Sequence, residues 1–349
     1  MNDELESNIH SIKSCICSKS INDIVYYDVK EDYIDKNTGK ALYVDENPLF
    51  RISEYKCNKR IDFDCDVSLR TIVLHTMAYK FLNEGGGNIQ TQKYNNKDGY
   101  KFEIGNIDKD EFVYRSDTMN SYCTTLNEYM RLFGDNRDNP KLLVIRESTK
   151  KLNFLPEDGS WENCILNHKE YFEKLLPVEV IEFLAVVHTI GNFIPIPFKE
   201  NGIEFNRPRG FRNKLIHDYW DLTLLALFNW FREKNNQEVN YSIGLKDIVK
   251  TEESVIMCEK WLENFKNESG NYSWDKFVSD NYMQDFISIS GDKDSYGIPK
   301  ELWKGHFKQI GLGDNKPKEK EEFIQFFTNS RVAIIARGER IALKLKGIY

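Results

Sequence analysis

Little in this 349-residue chain points to a standard enzyme class. It has no Walker loop, no Rossmann glycine pattern, no His-Glu-x-x-His and no Gly-x-Ser-x-Gly. The run "EGGGN" at 84–88 lacks the Lys-Ser/Thr that must follow the glycines of a phosphate loop. These absences argue against P-loop phosphoryl transfer, dinucleotide redox chemistry, zincin proteolysis and serine-hydrolase chemistry. Long apolar runs are missing too. The longest, "LTLLALFNWF" at 222–231, is about half of what spans a bilayer, so no membrane partner is expected. The opening "MNDELESNIH" has neither a basic start nor an apolar stretch, which leads to the expectation of no export signal and a cytoplasmic setting. An excess of positive charge is also lacking: 48 basic against 55 acidic residues give a net charge of −7. Such a chain is not built to coat nucleic acid in bulk, although local basic patches remain open to it. The seven cysteines are odd in number and scattered, which favours reduced thiols. Cys15, Cys17, Cys57 and Cys65 match no standard zinc spacing, so neither a metal nor a cofactor is expected.

What is present is enough to build a core. Hydrophobic residues make up 40% and aromatics 13% of the chain, which argues against global disorder. Length alone suggests two domains. Residues 22–60 hold short apolar pieces broken by turn residues and read as strands or extended loops. "VSLRTIVLHTMAYKFLN" at 67–83 has helical periodicity. "YNNKDGYKFEIG" carries the Asp-Gly signature of a strand–turn–strand. "SDTMNSYCTTLNEYMRLFG" reads as a helix capped by Ser116 or Asp117 and ended by Gly134. The stretch "GDNRDNPK" at 134–141 is linker-like. Helices are expected beyond it near 161–176, 178–190, 213–234, 251–267, 273–283, 299–310 and 319–345. The expectation is therefore a predominantly α-helical α+β protein, with a mixed region at 1–140 containing short strands and a helical region at 141–349.

Three stretches could carry chemistry. The first is "NRPRGFRNKLIHDYWDL" at 206–222, where Arg207, Arg209, Arg212 and Lys214 come with no acidic residue before Asp218. Basic side chains with a glycine ahead of a helix N-terminus suit phosphate, because free backbone N–H groups and the helix dipole favour an anion there. Arg212 and His217 add chemistry to this charge. A histidine can move the proton of a ribose 2′-hydroxyl near neutral pH, and a guanidinium can meet the charge that develops on phosphorus. Spacing alone says little, since Arg70 and His75 repeat it. In the second pair the spacer is apolar, whereas Asn213 follows Arg212. Residues five apart on a helix stand about 140° apart, so completing such a site calls for side-chain reach and a second subunit. Asp218 and Asp221, three apart, share one helix face and are expected to pair with Arg209 or Arg212.

The second stretch is "HTIGNFIPIP" at 188–197. It reads as a helix end at Gly191, a turn tied by Asn192, with His188 beside it, and a chain held extended by Pro195 and Pro197. The third is "SRVAIIARGERIALKLKGIY", an amphipathic basic helix that offers Arg337 and Arg340 to a nucleic-acid groove or to the acidic remainder of the chain.

Two resemblances rest on these residues. "RNKLIHDYWDL" resembles the active-site segment of HEPN-type ribonucleases. That likeness implies metal-independent RNA cleavage by Arg212 and His217, a homodimer with two such pairs facing each other, and a role of toxin or phage-defence type. The segment before it, "GNFIPIPFKENGIEFNRPRG", holds three prolines where a HEPN bundle has helix. Taken in order, "HTIGNFIPIP", "NRPRG" and "DYWDLTLLALFNWF" resemble a family of bacterial proteins of unknown function. "FVYRSDTMNSY" and "FTNSRVAIIARGERI" resemble further segments of it. That likeness implies Arg209, Gly210, Asp218 and Asp221 as an alternative centre. The leading expectation is a ribonuclease. The alternative is a non-catalytic sensor whose basic pocket binds a nucleotide, a nucleic acid such as RNA, or a protein.

Overall fold

A computed structural model of the chain describes residues 2–28, 45–57, 68–84, 88–93, 100–105, 113–120, 123–133, 144–148, 151–155, 161–198, 219–249, 252–289, 295–310 and 316–348. The N-terminal part runs α1 (Asn2–Ser18), α2 (Ile21–Val25), α3 (Pro48–Cys57), α4 (Leu69–Ala78), α5 (Lys80–Glu84), β1 (Asn88–Lys93), β2 (Tyr100–Gly105), β3 (Val113–Thr118) and α6 (Cys123–Phe133). A hairpin of β4 (Val144–Ser148) and β5 (Lys151–Leu155) follows, then α7 (Trp161–Asn167), α8 (Lys169–Leu175), α9 (Val178–Leu184) and β6 (Phe193–Phe198). The last part is α10 (Trp220–Lys234), α11 (Leu245–Ile248), α12 (Glu252–Leu262), α13 (Trp274–Asp280), β7 (Ile287–Ile289), β8 (Tyr296–Pro299) and α14 (Lys320–Leu345). The protein is a predominantly helical α+β fold with a small antiparallel sheet, as its composition and periodicity suggest.

Local chemistry explains the element starts. Ser20 and Asp23 form a capping box, with Ser20 Oγ accepting from Asp23 N at 3.2 Å and Asp23 Oδ2 from Ser20 N at 3.1 Å. Ser68 Oγ accepts from Thr71 N at 3.2 Å and starts α4, which is buried almost all round. Two stretches read as strands or extended loops from sequence are helical instead: α2 overlaps the start of 22–60 and α3 lies within it. Their apolar residues, Ile24, Val25, Leu49, Phe50 and Ile52, are buried, so tertiary packing outweighs a β-like local pattern. Ser116 and Asp117 do not cap a helix. They lie inside β3, and α6 begins at Cys123. The helix expected at 299–310 is only a 3-10 turn over His306–Gln309, entered through Gly305 at φ 87°.

The sheet has the order β1-β2-β3-β6, antiparallel throughout. Among the described residues, strand β6 pairs with β3 alone and forms an edge, where Pro195 and Pro197 are tolerated because no described strand needs their missing N–H groups. This ladder crosses the division expected near residue 140. β3 comes from the first region and β6 from the second, and buried side chains of both regions form one hydrophobic core.

Helix α14 is the axis of the molecule. It buries Phe323, Phe326, Phe327, Ser330, Ile334, Arg337, Gly338 and Ile341 at helical spacing. Its neighbours include α2, α4, α6, α9 and the turn at 190–192. That turn approaches so closely that a Cβ on Gly191 would stand 2.0 Å from the carbonyl oxygen of Ile334. Glycine is required there by space, not by a left-handed backbone.

Candidate functional site

Arg207, Arg209, Gly210, Arg212, Asn213, Lys214, His217 and Asp218 lie outside the described residues. The described chain stops at Phe198 and resumes at Tyr219, and these two residues are held at opposite ends of the β3–β6 ladder. Phe198 pairs with Val113. At the other end Thr118 pairs with Phe193, and two residues on, Asn120 Oδ1 accepts from Trp220 N at 3.1 Å. That bond caps α10, whose own N-cap residue, Tyr219, makes no side-chain cap.

Asn192 holds this end together. Its Oδ1 accepts from Asn120 N at 3.0 Å, and its Nδ2 donates to Asn120 O at 2.8 Å and to Val187 O at 2.7 Å. Asn192 is therefore a buried clamp between strand and helix. His188 is also buried, at 2% exposure, inside the same joint.

Arg337 belongs to the same frame and corrects the expectation of a phosphate contact. The residue is fully buried. Its Nε donates to Asn281 O at 3.0 Å, and one terminal nitrogen donates to Gly191 O at 2.7 Å and Phe193 O at 2.8 Å. The other terminal nitrogen donates to the Tyr79 hydroxyl. The guanidinium fork is spent on internal acceptors and presents nothing to a ligand. Arg340 is likewise engaged: Nε and a terminal nitrogen grip Asp285 at 2.6 and 3.3 Å, in a partly exposed bidentate pair. Among the described residues, the basic helix spends Arg337 and Arg340 on internal partners. Beside Arg337, His75 Nε2 lies 2.7 Å from Ser116 Oγ. Burial first, and then the Arg337 charge, push the pKa of His75 down to about 3.

Asp221 pairs with a residue the sequence did not single out. Its Oδ2 accepts from Leu302 N at 2.9 Å and lies 2.6 Å from His306 Nδ1, while Oδ1 accepts from its own neighbour Leu222 N at 2.9 Å. The arginine pairing expected for Asp221 is thus replaced by a buried Asp–His pair. Oδ2 already accepts from Leu302 N, and an Nδ1–H of His306 donating to the same oxygen would satisfy both groups. Trp303 stacks on the imidazole at a centroid distance of 3.5 Å, and Tyr219 meets it edge-on at 5.4 Å. His306 Nε2 has no hydrogen-bond partner among the described residues. The arrangement fixes ring orientation and leaves Nε2 buried without a partner among the described residues. No motif flagged His306, because its partner lies 85 positions away. The only hint was that Asp221 stood in the family-like "DYWDL" stretch.

A surface cleft of about 670 Å³ lies between α10, α12 and residues 239–247. It shares no lining residue with the Asp221–His306 pair. Among the described residues, no group of three or more His, Cys, Asp or Glu is placed to hold a metal ion. No described helix is long and apolar enough to cross a membrane. Cys15 and Cys17 are exposed free thiols, and Cys164 and Cys258 are buried ones. Comparison of the chain with protein-family models, with curated proteins and with solved structures finds no match.

Proposed function

We propose that the protein is a metal-independent RNA endonuclease, of the kind used in bacterial toxin or phage-defence systems. The observation that carries this reading is the Asp221–His306 pair. It stands at the first turn of the helix that directly follows the basic segment, with Nε2 of His306 unspent among the described residues. Proton transfer in RNA cleavage needs two groups, and this pair supplies the second beside His217. His217 takes the 2′-hydroxyl proton. The 2′-oxygen bonds to phosphorus and the bond from phosphorus to the 5′-oxygen breaks. The departing 5′-oxygen receives its proton from Nε2 of an imidazolium at His306. Arg212 meets the charge on the phosphorane-like centre. Asp221 is a positioning residue that steadies the imidazolium. Arg207, Arg209 and Lys214 hold the flanking phosphates, and the HEPN-like motif suggests that two copies of the chain complete the site.

The test is cleavage of a labelled RNA in EDTA. Under this reading the products end in 2′,3′-cyclic phosphate. His217→Ala abolishes cleavage and leaves RNA binding nearly intact, while Arg212→Ala weakens both. A second reading is a non-catalytic sensor that binds RNA or a nucleotide through Arg207, Arg209 and Lys214. The full burial of His306 favours it. That reading expects salt-sensitive binding with no cut RNA in either protein.

A further inference from the structure

The cleft beside α10 has the features of a second binding site, and this inference does not rest on the RNA-directed reading. Its volume of about 670 Å³ falls inside the usual range for small-molecule sites, roughly 300–1,000 Å³. The walls are held in place. Asn229, 1% exposed, donates its amide hydrogens to Tyr241 O at 2.9 Å and Ile243 O at 2.8 Å, which ties an irregular segment to α10. Asp247 Oδ2 accepts from Gly244 N at 2.9 Å and closes the next turn.

One corner of the cleft is chemically distinct. Glu259 accepts from Trp230 Nε1 at 2.9 Å, which locks the indole beside the carboxylate. The ammonium of Lys234 lies 3.1 Å from the same carboxylate and 5.3 Å from the centroid of the Trp230 ring. One cation of the chain itself is thus already seated where a carboxylate and an indole face meet, the combination that recognises organic ammonium groups. Burial pushes the Glu259 carboxyl up, but hydrogen bonds from Trp230 and Lys234 and the Lys234 charge outweigh it and hold the group below its usual range. Glu233, Asp247 and Glu259 line the cleft with Lys246, and Lys234 stands at its corner, so carboxylates still outnumber ammonium groups and the field favours cations. We infer that this cleft binds a small organic cation bearing a primary amine, seated on Trp230 and Glu259, with Lys234 as a built-in competitor for the same seat.

The probe is spermidine, added to the full-length ¹⁵N-labelled protein while the Trp230 indole N–H resonance is followed. Magnesium chloride at equal ionic strength serves as the control for screening. The expected result is a saturable shift with spermidine only. Lys234→Met should tighten binding by about threefold or more, because the incoming amine no longer displaces an ammonium, and Glu259→Gln should weaken it at least about tenfold. A purely structural Lys234–Glu259 pair would give no gain of affinity in Lys234→Met. Should Glu259→Gln fail to fold, that gain still decides the matter, since Lys234 is 41% exposed. A shift that does not saturate, an equal shift with magnesium, or a Lys234→Met protein that binds no more tightly would each overturn the inference.

Discussion

Arg337 shows how a single residue can be misjudged from its type. Its charge suggested a phosphate contact, yet among the described residues it faces three backbone carbonyls and one hydroxyl, with no carboxylate partner. Replacing it by Leu strands those carbonyls in the core, and replacing it by Lys substitutes a point charge for a fork. Both variants should lose about 3 kcal/mol or more in urea unfolding; a change within about 0.5 kcal/mol would show that the network is dispensable. His75 makes a pH prediction. Its pKa falls from 6.5 to about 3 on folding, so below pH 6.5 the unfolded chain binds a proton that the folded chain refuses. Its contribution to stability is complete above pH 6.5 and falls as the pH drops toward 3. By pH 5.5 the loss should reach about 1.4 kcal/mol. His75→Gln, which keeps a polar partner for Ser116, should remove that part of the acid sensitivity, and equal slopes for the two proteins would contradict the assignment. Residue roles of this kind were largely illegible in the sequence. Arg337 and Arg340 look alike there, because what separates them is depth. His306 looks like any other histidine until folding brings it to Asp221.

Elements were more readable than residues, and the reason is periodicity. The helix at 319–345 was expected almost to its ends, since a buried face at helical spacing over 26 residues is hard to mistake. The strand pair around "KDG" and the extended "FIPIP" stretch were equally plain. Short elements failed: α2 and α3 read as strands, and β3 as the start of a helix, because five to ten residues carry too little pattern to resist tertiary context. Gly191 and Gly338 test the helix–turn joint that positions the site. Alanine at 191 would drive a Cβ to 2.0 Å from a backbone oxygen, so thermal unfolding should show a loss of about 3 kcal/mol or more. Alanine at 338 meets its nearest neighbour, a Val25 methyl, at 3.4 Å, which is ordinary contact. The gain in helix propensity, about 1 kcal/mol, should make Gly338→Ala neutral or slightly stabilising. Similar losses at the two positions would mean that the close approach is misplaced.

At the scale of the whole molecule, the described parts of the segments singled out by motif converge. β3, the 188–198 stretch, the start of α10 and helix α14 meet through Asn192, Asn120 and Arg337. They form a hydrogen-bonded frame from which the chain leaves at Phe198 and returns at Tyr219, next to the Asp221–His306 pair. Pairing between β3 and β6, which crosses the division expected near 140, cannot be read from either strand alone. In the proposed RNA cleavage His306 gives the proton to the leaving group from this frame. The measurement that bears on this most directly is the rate of RNA cleavage in EDTA for the wild-type protein, His306→Gln and Asp221→Asn, with folding checked by circular dichroism. Wild-type products should end in 2′,3′-cyclic phosphate, the rate should fall about 100-fold or more in His306→Gln, and Asp221→Asn should show an intermediate loss. Folded His306→Gln protein that cuts RNA at the wild-type rate, or wild-type protein that binds RNA and leaves it intact, would contradict this role.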